Sequence, residues 1–287
     1  MQKDLFGNTR YKINLHTHTT LSDGHATPEE ALRIYRENGY DAIALTDHWY
    51  YGKSGEADGI TILSGAEYNI GGSDSRNGVF HILGIGAERE PSLTKTMSAQ
   101  QIIDRIHEAG GLAILAHPAW SLNTPEQVLP LQGFDATEIY NSVSGVHHSR
   151  RADSSLIVDM LASAGRYYLL IADDDVHYYD SDKCLSWIMA KAENSSTKAL
   201  MAAIRNGDFY ATQGPEVHLI REGDGFSVKC SPCSEIVFLS NFVWRPRVFE
   251  GDGLTEAHYQ PVAGERFLRA MVTDANGKQA WTNIITL

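Results

Sequence analysis

Between residues 12 and 214, short apolar runs alternate with amphipathic stretches, and that alternation restricts the chain to a small group of folds. Residues 12–19, 41–47, 60–68, 79–85, 112–117, 136–140, 168–172 and 184–190 read as strands. Residues 27–38, 98–109, 147–164 and 195–206 read as helices. The first shows how the boundaries are written: Thr27 suits the N-cap, Pro28 the first helical position, and Gly39 the stop. Strands separated by helices of about 10–15 residues indicate βαβ units and a parallel sheet. Repeats in this number favour a closed barrel, whose chemistry gathers at the C-terminal ends of the strands. From Pro215 the helical period disappears. Short alternating segments at 217–221, 226–230, 236–240, 267–273 and 281–286 replace it, with Asp224-Gly225 and Asn276-Gly277 as turn pairs. The expectation is an α/β barrel over residues 1–214 followed by a small antiparallel β-sandwich over residues 215–287.

Charge narrows the choice of partner. The chain carries 24 Lys and Arg against 36 Asp and Glu, a net −12. Residues 215–287 hold 7 basic and 9 acidic groups, so −10 falls on the first 214. Nucleic-acid affinity comes mainly from phosphate neutralisation by Lys and Arg, so a long nucleic acid is not expected as a partner, and a small substrate is. No run of about 18 apolar residues is present, which argues against a membrane span. The first residues, MQKDLFGNTRYKI, lack the apolar stretch of a signal peptide, and the chain has three cysteines. Both points fit a reducing, cytoplasmic setting. Cys230-x-x-Cys233 is a single pair with no second pair or His close by, so neither a zinc ribbon nor a redox motif is expected.

Side chains of metal-ligand type recur where the expected strands end. His16 and His18, two apart on one strand, point to one face, and Asp23 follows on the loop. Asp47-His48 ends the second strand and Glu67 the third. His81 begins FHILGIG, His117 ends AILAHP, and Asp175 and His177 follow YLLIA. Imidazole and carboxylate suit Zn, Mn or Fe(II), and no thiolate is involved. Taken singly, an H-x-H pair is ordinary polarity, and Glu67 reads as a solvent-exposed carboxylate. Their conjunction at one rim carries the argument.

HTHTTLSDG, TDH, GAEYN, FHILGIG, AHP and D-x-H, in this order, resemble the PHP (polymerase and histidinol phosphatase) family of metal-dependent phosphoesterases. The text GDFYATQGP and the stretch DANGKQAWTN resemble its carbaryl-hydrolase-like branch. The resemblance spans about residues 12–214. It implies a distorted seven-stranded (βα) barrel with two or three divalent ions at the rim. By position, His16, His18, Glu67 and Asp175 would hold one ion, and Glu67 would bridge to a second completed by His81 and His117. Asp23, His48 and His177 would hold a third. Asp174 stands where the family often has serine, so the run Asp173-Asp174-Asp175 leaves the ligand between Asp174 and Asp175, with the D-x-H spacing favouring Asp175.

Such a site implies hydrolysis of a small phosphorylated substrate by a metal-bridging hydroxide, with Glu67, Asp175 and His177 as the catalytic set. The same centre could attack a carbamate or carboxylic ester, or the barrel could bind metal without turnover. His25 and His148 are candidates for protonating the leaving group, or are simply solvated. Arg150 and Arg151 could grip a phosphate, or form a solvated first helical turn. Asn141 could face the site or cap its loop. The remaining His218 and His258 are expected to lack carboxylate partners. Substrate identity, native metal and oligomeric state stay open at this level.

Overall fold

The computed structural model describes residues 1–245 and 247–287; the side chains of His147 and His148 lie outside the described residues. Strands Gln2–Lys3 (β1), Thr9–Asn14 (β2), Ala42–Ala44 (β3), Gly55–Ala57 (β4) and Ile60–Leu63 (β5) start a first sheet. The chain then crosses over at Ser64. Gly65–Ile70 (β6), Phe80–Ile85 (β7), Leu112–Leu115 (β8), Ala136–Asn141 (β9) and Leu169–Asp173 (β10) form a second sheet, ordered β10-β9-β8-β7-β6. Trp187–Lys191 (β11) and Phe209–Thr212 (β12) return to the first. So do Val217–Glu222 (β13), Gly225–Leu239 (β14), Val248–Tyr259 (β15), Phe267–Thr273 (β16), Gln279–Trp281 (β17) and Ile285–Thr286 (β18).

The architecture is α/β, but three expectations need correction. The strands are mixed, not parallel: β7 runs antiparallel to both β6 and β8, because β6 and β7 form a hairpin with only the short 3-10 turn Ser75–Asn77 between them. Among the described residues the strands do not close into one seven-stranded barrel. They divide into two sheets, clasped at one end by the bridges Thr17 to Val176 and His48 to Glu67. Nor do the C-terminal strands form a sandwich apart from the rest. β17 pairs with β12, so one sheet runs across residue 214, and the long β14 shifts register beside Cys233 as it passes from β13 to β16.

The main core lies between the two sheets, with Ile13, Leu15, Leu63, Leu83, Ile114, Ile139, Leu170, Ile188 and Trp281 buried together. Helices cover the outer faces. Pro28–Glu37 (α1) lays Ala31, Leu32 and Tyr35 on Ile43 and Ile60, and Ala99–Glu108 (α2) lays Ile102, Ile103 and Ile106 on Tyr68, Ile82 and Leu115. Both begin with a capping box, Thr27 with Glu30 and Ser98 with Gln101, which satisfies amides that the first turn leaves without partners. Pro125–Val128 (α3), Ser155–Ser163 (α4) and Thr197–Asn206 (α5) complete the set. α4 starts well after the expected residue 147. Ser144–His148 makes a single wide turn, and Arg150 then takes a φ of +61°, a left-handed conformation that a helix cannot propagate through.

One ion pair, with its cation buried and its carboxylate partly exposed, fastens the C-terminal strands to this body. Arg269 on β16 is fully buried, and its guanidinium donates two parallel hydrogen bonds, 2.7 and 2.8 Å, to the carboxylate of Asp159 on α4. Removing only the carboxylate would strand the charge in the interior. Asp159→Ala is expected to cost about 3 kcal/mol in urea unfolding, and pairing it with Arg269→Met should recover most of that loss. Equal unfolding midpoints for Asp159→Ala and the parent chain would refute this role.

Candidate metal centre

The side chains singled out at the strand ends meet where the two sheets clasp. His16 and His18 follow β2 and are fully buried. Their Nε2 atoms lie 3.1 Å apart, and each is 3.1 Å from Asp175 Oδ1. Glu67 sits in the middle with its two oxygens turned to different neighbours. Oε2 faces His16, His18 and His48 at 3.3, 3.1 and 3.2 Å, while Oε1 faces His81 at 2.7 Å and His117 at 3.3 Å. Asp23 approaches His18 Nδ1, His48 and His177 at 3.4 to 3.6 Å. Three groups able to hold an ion result: His16, His18, Glu67 and Asp175; Glu67, His81 and His117; and His18, Asp23, His48 and His177.

The reversal of β7 explains how His81 arrives. It opens its strand instead of ending it, and only an antiparallel strand brings that end to the rim. Glu67 differs from the sequence reading. It lies within β6 and is 1% exposed, so it is an interior carboxylate. The backbone is also held in uncommon conformations at two of these residues, with φ +28° at His117 and +51° at Asp175. Asp174 and Asp175 are separated cleanly. Asp174 turns away and accepts hydrogen bonds from Tyr35 Oη and from the amides of Cys184, Leu185 and Ser186. Burial pushes it up to about 6 in spite of those donors. Asp175 faces the imidazoles.

Electrostatics favour positive charge at the centre. Burial alone would raise Glu67 and Asp175, yet the surrounding histidines, His16 foremost, hold both well below the usual carboxylate range. His16 Nδ1 lies 2.7 Å from Glu138 Oε1, a contact that places the ring proton there and leaves Nε2 an acceptor. That acceptor points at the oxygens of Glu67 and Asp175, and Asp175 Oδ1 has no hydrogen-bond donor. Acceptors aimed at acceptors in a buried space are stable only with protons or cations among them. The residues therefore fit divalent ions, as the donor types of the set also do.

Glu138 was not legible as a site residue. It is fully buried, and its Oε2 accepts from the His117 amide and from Asn141 Nδ2. Asn141 also donates to Asp175 Oδ2 at 3.2 Å. Asn141 is thus buried and engaged with carboxylates, its Oδ1 accepting from Ser144. Asp173 lies beside Glu138 with both oxygens lacking a donor, and burial next to that carboxylate raises it well above the usual range. Arg150 and Arg151 are exposed and do not line the site cavity, and Arg150 donates to the Gly145 carbonyl. His25 is exposed and packs on Tyr178; the His148 side chain lies outside the described residues. His218 does have a carboxylate partner, Glu216 at 2.7 Å, contrary to expectation. Asp4 completes that group, but it is neutralised by buried Arg10 at 2.9 Å.

The PHP domain family model matches residues 14–148, the stretch that contributes His16 to His117. Over that stretch the chain is similar to the PHP domain family. An uncharacterized protein of Methanocaldococcus jannaschii is 29% identical over 118 residues, which cover 37% of this chain and 67% of that protein. Among solved structures, a two-domain protein of Bacteroides vulgatus, described as containing a predicted PHP-like metal-dependent phosphoesterase, superposes with a TM-score of 0.56. Identity is 16%, over 100% of this chain and 97% of the other. At that identity the likeness concerns the fold, and it extends through the C-terminal strands.

Glu138 yields a direct test of the site. With its charge removed, His16 loses the partner that fixes its tautomer and the His117 amide loses a charged acceptor. Glu138→Gln should weaken metal retention about 10–100-fold in a chelator competition while the thermal melt keeps a single transition. Unchanged retention would show that Glu138 is only a packing residue.

Proposed function

We propose that the chain is a metal-dependent phosphoesterase, a phosphatase or phosphodiesterase acting on a small phosphorylated substrate. The observation that carries this reading is the division of the Glu67 carboxylate, one oxygen toward His16 and His18 and the other toward His81 and His117. A bridging carboxylate with separate imidazole sets suits two adjacent divalent ions, and Asp23, His48 and His177 suit a third. Zn, Mn and Fe(II) are all compatible with these donors. Bound ions would bring a water toward ionisation near neutral pH and offset the charge of the phosphoryl oxygens.

The chain's own residues supply the rest. Glu138 and Asn141 orient His16, His117 and Asp175, so the donors need little rearrangement on binding. Trp120 stands edge-on to His81 and His117, at 5.5 and 4.9 Å between ring centres, and walls off that side from water. His177 is 15% exposed at the mouth, placed to carry a proton between the site and solvent. All of these residues precede 178, which supports taking residues 1–214 as the hydrolase unit and 215–287 as an appended unit. No helix among the described residues is long and apolar enough to cross a membrane. A cytoplasmic site of action remains part of the proposal.

Purified protein should contain divalent metal by elemental analysis. It should release product from p-nitrophenyl phosphate or its bis ester, and stop after chelation. Cleavage of naphthyl carbamate with no phosphoester turnover would overturn the phosphoester reading. Glu67→Gln keeps the size of the side chain and removes one of three anionic ligands. It is expected to lower turnover about 100-fold or more, with partial loss of metal. Near-normal turnover at full metal content would remove Glu67 from the bridging role.

A further inference from the structure

The cavity at the metal centre has a volume of about 130 Å³, bounded by Asp23, Glu67, Trp120, Ser144 and the site histidines. At about 30 Å³ per water in the liquid, that is room for some four waters. It admits a phosphoryl group but little of the alcohol attached to it, since cavities that enclose whole ligands run to about 300–1,000 Å³. None of its lining residues is Lys or Arg.

A second cavity of about 250 Å³ shares His81 with the first. Its other walls are Trp49, Asn69, Ile70, Gly72 and Lys95. Trp49 reaches it through an uncommon backbone: its φ is +57°, in the left-handed region that bulky side chains avoid. That conformation is held because the Trp49 amide donates to the Glu67 carbonyl at 2.9 Å and the indole Nε1 donates to Asn69 Oδ1 at 2.6 Å. The indole also packs edge-on against Tyr68, which fixes its plane. Strain retained beside a reacting centre is a mark of a site being shaped. The Lys95 ammonium stands 5.9 Å from the centre of the indole ring, and its side chain is exposed. Aromatic face, amide and ammonium thus adjoin the place where a scissile phosphoryl group would lie.

We propose that Trp49, Asn69 and Lys95 form the leaving-group subsite, and that the substrate is a phosphoester of a ring-bearing alcohol or phenol with a second anionic group. The ring lies against the Trp49 indole, and the distal anion pairs with Lys95. The subsite rests on the phosphoester reading for its chemistry. In the reaction, water adds to phosphorus, the bond between phosphorus and the ester oxygen breaks, and the ring-bearing alcohol leaves with the proton released from water. Inorganic phosphate, or a phosphomonoester from a diester, is the other product.

The test compares methyl phosphate, phenyl phosphate and 4-carboxyphenyl phosphate as substrates of the metal-loaded protein. Binding of the matching methyl, phenyl and 4-carboxyphenyl phosphonates is followed by calorimetry. Binding and kcat/KM should both rise along the series. Lys95→Ala should reduce the preference for the carboxylated ring over the plain ring about tenfold, mainly through KM. Trp49→Ala should erase the preference for phenyl over methyl, and Trp49→Phe, which restores an aromatic face, should recover much of it. Graded binding without turnover of any ester would defeat the phosphoester reading and leave the subsite standing. Turnover of all three esters with no ranking, or a ranking indifferent to Lys95 and Trp49, would overturn the subsite.

Discussion

Six imidazoles and three carboxylates packed at one joint impose a charge problem on the whole fold. Interior carboxylates with few donors are tolerable only when positive charge is held among them. The backbone answers with rigidity. The Asp175 amide donates to the His16 carbonyl, the His18 amide to the Val176 carbonyl, and the Glu67 amide to the Thr46 carbonyl. These bonds join the sheets at the same level as the ligands, so the mutual repulsion of the side chains cannot simply pry the sheets apart. Glu138, Asn141 and Asp174 extend the arrangement by one layer, each fully buried; Glu138 and Asn141 are bonded to the ligand-carrying residues His117 and Asp175, and Asp174 ties the chain just before Asp175 to the amide of Cys184.

Much of this was readable from residue types alone. Thr27, Pro28 and Gly39 bracket α1 because capping chemistry is local, and local signals survive in sequence. The nine ligand candidates were also visible, because His and carboxylates at strand ends are an unusual pattern for a folded interior. What escaped was decided by tertiary pairing. Glu138 looks like any polar residue in ATEIYN until β9 is set beside β8 and its carboxylate lies against His16. His81 seems misplaced until β7 is found to run backwards. Closure of the barrel failed as an expectation because periodicity reports which residues face inward, not whether the last strand meets the first.

Burial and recognition are divided unevenly around the rim. On the side of β9 and β10 the site is backed by acidic groups and small polar side chains, all enclosed. On the side of β6 and β7 it opens toward Trp49, Asn69 and Lys95. The cationic residues first suspected of gripping phosphate, Arg150 and Arg151, stand outside both cavities. On the proposed reading, selection among substrates falls to the open side, and the enclosed side holds the donors in place.

The pairing of β12 with β17 carries a consequence for how such a chain can change over time. β12 would otherwise be the last strand of its sheet, with a free row of amides and carbonyls available to any other chain. The C-terminal strands occupy that row, and Trp281 from the same strand fills the core between the sheets. A lineage could remodel the loops of this region freely, yet it could not discard the region without opening a self-adhesive margin and hollowing the centre. The C-terminal strands therefore act as a seal on the sheet, whatever else they do.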